Sequence, residues 1–105
     1  MSIKNRPTWV LLQILEHRER KKECHFAILE LLARATKMHQ LWRLYYCAVT
    51  SRMDRGLKGK ILWKILAGRI SQSNLQHVLY AAEEAGLSRI CRKVKKRLAQ
   101  SFEPV

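Results

Sequence analysis

Cysteines and histidines are the first residues to weigh for chemistry, because together they build metal sites and nucleophile–base pairs. Cys24 and His25 are adjacent, while His17, His39, Cys47, His77 and Cys91 are scattered along the chain. No Cys-x-x-Cys or His-x-x-x-Cys pair occurs, so no metal centre is expected. The three thiols, Cys24, Cys47 and Cys91, form an odd and widely spaced set. Two of them fall inside apolar helical patterns, which points to reduced, core-facing thiols in a reducing compartment rather than a disulfide framework. Acid–base catalysis needs paired carboxylates or a nucleophile–His–acid set. The single aspartate, Asp54, lies in the turn-like Asp54-Arg55-Gly56, and Glu16, Glu19 and Glu23 stand among Arg and Lys as exposed partners. No glycine-rich phosphate loop occurs. The expectation is a protein that is not an enzyme and uses no cofactor.

The remaining chemistry is that of its cations. The 105 residues include 21 Lys and Arg against 8 Asp and Glu, a formal charge of +13. Eight carboxylates are too few to spare a cage for calcium or magnesium. Between Arg34 and Ala82 stand Arg34, Lys37, Arg43, Arg52, Arg55, Lys58, Lys60, Lys64 and Arg69, against Asp54 alone. The last segment adds Arg89, Arg92, Lys93, Lys95, Lys96 and Arg97 with no acid among them. Such zones repel themselves unless an anionic partner offsets them. Phosphates accept charge-assisted hydrogen bonds from Arg and Lys, and counterion release drives the association. Nucleic acid, DNA or RNA, is therefore the first expected partner. Trp63 and Tyr80 fall off the apolar stripes of their segments and suit a contact surface, whereas Trp42 and Tyr45 fall on a stripe and suit the core.

The elements that must position these residues are helices. No Gly or Pro lies between Thr8 and Arg55, and no run alternates cleanly between apolar and polar residues. The fold expected is all-α, a single compact domain of five or six short helices in a bundle, spanning residues 1–105 with a folded core at 6–100 and a tail at 101–105. A compact monomer of this length would have a radius of gyration near about 13 Å. Thr8 is the expected N-cap of the first helix, with Val10, Leu11, Ile14 and Leu15 inward. Residues 16–23 read equally as charged helix or loop. The second segment, Cys24 to Ala35, carries Phe26, Ile28, Leu29, Leu31 and Leu32 on more than one face, as a central helix would. Thr36 is the expected cap of the third helix, whose stripe is Met38, Leu41, Trp42, Tyr45, Ala48 and Val49. The fourth places Leu57, Ile61, Leu62, Ile65 and Leu66 inward and stops at Gly68. Ser71 or Ser73 caps the fifth, with Leu75, Val78, Leu79 and Ala82 inward and Gly86 as its end. Ser88 caps the sixth, with Ile90, Cys91, Val94 and Leu98 inward and its six cations outward. No internal repeat is apparent. No stretch has the length of a transmembrane helix, and the polar start, Met1 to Pro7, does not read as a secretory signal. A cytoplasmic or nuclear location is expected on these grounds.

The stretch Leu66 to Leu79 resembles a helix-turn-helix reader, and with its flanking residues the resemblance covers about 25 residues. A helix ends at Gly68, and a Ser-capped helix opens with Gln72, Ser73, Asn74, Gln76 and His77. The downstream Glu84-Ala85-Gly86-Leu87 resembles the segment after the recognition helix in winged-helix repressors. The resemblance implies base contacts from Gln72, Asn74, Gln76 and His77, and homodimers are common among such readers. The sequence departs from the family in a longer turn, in Lys64 where a small residue is usual, and in lacking a β-wing after Gly86. Gly68 to Ile90 also resembles the last two helices of death effector domains, although of the family's Arg-x-Asp-Leu motif only Leu87 is present.

The function expected is a small, non-catalytic nucleic-acid-binding protein with a helix-turn-helix-like unit at about 57–85. The alternative is a protein-binding modulator, such as a viral or phage inhibitor or a death-fold-like adaptor, that docks on an acidic protein surface. Membrane binding is disfavoured, because the last helix offers only modest apolar anchors.

Overall fold

A computed structural model describes residues 5–101, the last through its backbone alone; most of the expected tail and residues 1–4 lie outside the described residues. The chain forms α1 (Thr8–Ile14), α2 (Lys21–Arg34), α3 (Met38–Thr50), α4 (Arg55–Ala67), α5 (Gln72–Ala85) and α6 (Ser88–Ser101). No strand occurs among the described residues. The fold is all-α.

Local chemistry sets the boundaries. Asp54 caps α4, its Oδ1 accepting from the Leu57 N–H at 3.0 Å, and Ser71 caps α5, its Oγ accepting from the Asn74 N–H at 3.2 Å. Three caps differ from expectation. Pro7 takes the cap position of α1 in an extended conformation and has no N–H to leave unpaired. Thr8 is helical, and its hydroxyl accepts from Arg34 Nη1 at 3.3 Å instead. Lys37 precedes α3, and the side chain of Gln40 reaches back so that its Oε1 accepts from the N–H groups of Thr36 and Lys37, both at 3.1 Å. Ser88 is already inside α6.

Residues 15–20 form a turn-rich loop, with N–H bonds from Glu16 to Gln13, His17 to Ile14 and Arg20 to His17. The buried Cys24 thiol anchors this loop to α2, lying 3.4 Å from the Ile14 carbonyl and 3.3 Å from that of His17. Burial first, then the nearby Glu19 and Glu23, push its pKa above the ordinary thiol value.

One contiguous core takes side chains from all six helices, from Leu11 on α1 to Val94 on α6. Trp42 and Tyr45 are both in it. Three residues expected inward are not: Val10 is half-buried outside this core, and the other two are more exposed. Phe26 and Val49 are 48% and 45% exposed. Helix α2 buries a single face built on Cys24, Ala27, Ile28, Leu31 and Leu32, which turns Phe26 outward. On α3 the buried face centres on Leu41, Leu44, Tyr45 and Ala48, so Leu44 takes the place expected for Val49.

The six helices are three hairpins in series, and here the expectation of no repeat fails. Helices α1 and α2, α3 and α4, and α5 and α6 pack on one another, and α2, α4 and α6 touch in succession as one layer. Helix α2 begins at Lys21 and α4 at Arg55, α3 at Met38 and α5 at Gln72, the same offset of 34 residues in both cases. The offset carries the packing with it. Ala27, Ile28, Leu31 and Leu32 recur as Ile61, Leu62, Ile65 and Leu66, all buried.

It also carries the turns. After α3, the N–H of Arg52 bonds to Val49 and that of Met53 to Ala48; after α5, Gly86 bonds to Glu83 and Leu87 to Ala82. These are equivalent Schellman closures. Their pivots, Arg52 at φ 54° and Gly86 at φ 70°, are both left-handed. Hairpins laid side by side make the molecule longer than a sphere, with extents of 54 × 24 × 17 Å and a Cα radius of gyration of 14.9 Å.

Candidate nucleic-acid interface

The hairpin order sorts the charges by layer. Helices α4 and α6 carry ten Lys and Arg and no acid, four on α4 and six on α6. Helix α5, in the other layer, carries no Lys or Arg and holds Glu83 and Glu84. The ion pairs between described residues all lie in the first hairpin or its loop: His17–Glu19, Arg20–Glu23 and Arg34–Glu30.

Most of the expected phosphate contacts reach solvent. Arg55 and Lys60 on α4, and Arg89, Arg92, Lys93, Lys95 and Lys96 on α6, are exposed, as are Arg52 and Arg69 beyond the helix ends; Lys58 is half-buried. Two expected members are engaged elsewhere. Lys64 Nζ donates to the Leu32 carbonyl at the end of α2. Arg97 Nη1 donates to the Leu66 carbonyl at the end of α4 at 2.8 Å. Leu32 and Leu66 are repeat equivalents, so successive hairpins are joined by the same device. A cation from the next helix of the layer satisfies a carbonyl that its own helix leaves open, at the negative end of the helix dipole.

The expected base-reading set lies on α5, a helix that itself carries no Lys or Arg. Gln72 and Gln76 are exposed and Asn74 is half-buried. His77 stacks on Trp42, with ring centroids 4.2 Å apart and 20° between planes, and its Nε2 lies 3.0 Å from the Tyr46 hydroxyl. That ring is therefore a strut between α3 and α5 rather than a side chain projecting freely. Beside it, the Tyr45 hydroxyl donates to the Ala81 carbonyl at 3.3 Å. Burial, then Glu84 and Tyr46, raise the Tyr45 pKa.

Both off-stripe aromatics are on the surface, Trp63 at 43% and Tyr80 at 65% exposure. Trp63 borders an open groove of about 460 Å³ between α4 and the start of α6. Gly59 and Leu87, which also line that groove, are not among the expected site residues. The signal in sequence is Gly59 itself, a residue that weakens a helix, standing inside a helical pattern. Leu87 packs over it, its Cδ2 at an ordinary contact distance of 3.8 Å from where a Cβ at Gly59 would stand.

No group of three or more His, Cys, Asp or Glu side chains that could hold a metal ion occurs among the described residues. No helix among them is long and apolar enough to cross a membrane. No family model, no curated protein and no solved structure matches the chain.

Proposed function

We propose that the protein binds nucleic acid through the outer face of α4 and α6. The observation that carries this reading is the pairing of two acid-free helices in one layer, ten cations between them. Uncompensated charge at this density destabilises an isolated domain, and a phosphate backbone offsets it while releasing counterions. Setting aside the two capping cations leaves eight on these helices. If roughly six of them meet phosphates, log K for duplex DNA falls with log salt at a slope of about −5. Phosphate contacts alone account for this mode. Sequence reading by Gln72, Asn74 and Gln76 is not required for it.

The test is a fluorescence-anisotropy titration of duplex DNA, single-stranded DNA and duplex RNA from low to physiological salt. Micromolar or tighter binding with a slope of several units supports the reading. No binding at low salt refutes it.

A second reading, docking on an acidic protein surface, is favoured by one observation. Trp9, Phe26, Tyr46, Val49, Trp63 and Tyr80 are all large apolar residues at least 43% exposed, and aromatic anchors beside Arg are typical of interface centres. A stoichiometric protein partner in pull-downs that survive nuclease treatment would favour it.

A further inference from the structure

The groove between α4 and α6 combines three properties. Its apolar lining includes Leu87 and Ile90, which pack over the buried Gly59 at ordinary contact distance. One wall is the Trp63 indole, the largest side chain of α4, left 43% exposed. Arg55, Lys60 and Arg89 also line it, and no carboxylate does. An aromatic wall among three cations complements a ligand that is flat and apolar on its face and anionic at its edges. Phosphate binding alone would use the cations and leave the indole idle. A base in a duplex already has both faces stacked, whereas an unpaired base has a face to offer.

We infer that the groove seats one unpaired base of a single-stranded nucleic acid, stacked on Trp63, with the flanking phosphates on Arg55, Lys60 and Arg89. This rests on the nucleic-acid reading above and adds a preferred ligand class and an order of contacts. Stacking on an aromatic side chain is worth about 5- to 150-fold in affinity per base.

The test uses the full chain and three labelled probes of about a dozen nucleotides, a length within the usual site size of single-strand binders. They are oligothymidylate, its duplex with oligoadenylate, and an abasic deoxyribose-phosphate strand of the same charge. Oligothymidylate should bind about 5- to 150-fold more tightly than the abasic strand, bind more tightly than the duplex, and quench tryptophan emission. Trp63→Ala should remove that margin and leave abasic binding unchanged. Trp63→Phe, which keeps an aromatic face, should retain most of it and guards against a folding defect in the alanine variant.

Equal and tight binding of oligothymidylate and the abasic strand overturns the base seat and leaves the phosphate reading standing. Tighter binding of the duplex overturns the seat as well. No binding of any probe at low salt overturns both. Displacement of oligothymidylate by polyglutamate at equal charge concentration overturns the seat in favour of an acidic protein partner.

Discussion

Lys64→Met isolates the contact that joins the first two hairpins. Methionine keeps most of the aliphatic stem and removes the ammonium that donates to the Leu32 carbonyl. A hydrogen bond with a charged partner contributes about 1.5–3 kcal/mol net, and an unsatisfied carbonyl adds a penalty when it is buried. The site is only part-buried, so the lower end applies, about 1.5 kcal/mol. Removing one positive charge from a chain at +13 relieves some self-repulsion and trims this further. A net loss of about 1 kcal/mol corresponds to a drop in Tm of about 4–8 °C for a domain of this size. Lys60→Met is the control, because it makes the same charge change at an exposed position on the same helix. It should stay within about 0.5 kcal/mol of wild type. Urea unfolding of the three proteins, fitted with a common m-value, reads the difference. If Lys64→Met and Lys60→Met are equally stable, the carbonyl contact does not join the hairpins.

Arg52 holds a left-handed position that its repeat equivalent fills with Gly86, so Arg52→Gly should stabilise by roughly 1 kcal/mol and Gly86→Ala should destabilise by a similar amount, both read by urea midpoints. Asp54→Ala should cost about 1 kcal/mol by removing the cap of α4, again by urea unfolding. The Cys24 thiol has its folded pKa raised above the ordinary 9.0, so the folded state holds this proton more tightly than the unfolded one. Its contribution is complete below the unfolded pKa and is lost as pH rises from there through the folded pKa. Stability should therefore fall above about pH 9, and Cys24→Ala should flatten that fall in thermal melts taken across the range.

The helices themselves were legible because their signals are local. The Ser71 cap, the Gly86 end and the stripes of α4 and α5 depend on residues a turn apart. The repeat was hidden because equivalent positions share burial and not identity. Ala27 pairs with Ile61, Trp42 with Gln76, and the left-handed pivot is Arg in one hairpin and Gly in the next. Lys64 and Arg97 look in sequence like any solvent-facing cation, and only the approach of the preceding helix end gives their nitrogens a carbonyl. His77 reads as a free polar group until α3 brings Trp42 and Tyr46 against it. The richness in cations was plain from composition. Their concentration in one layer was not, since it depends on which helices the hairpins bring together.

Charge reversal at matched positions tests the central claim most directly. One variant carries Glu at Arg92, Lys93, Lys95 and Lys96 on α6, and the other carries Glu at Arg18, Arg20, Lys21 and Lys22 at the far end of the array. Both change the net charge equally, and all eight positions are exposed. Anisotropy against labelled DNA should show the α6 variant losing most of its affinity, with a salt slope shallower by about 3 to 4 units. The other variant should lose far less. Equal losses would mean that overall charge, and not the α4–α6 face, does the binding, and would contradict the account.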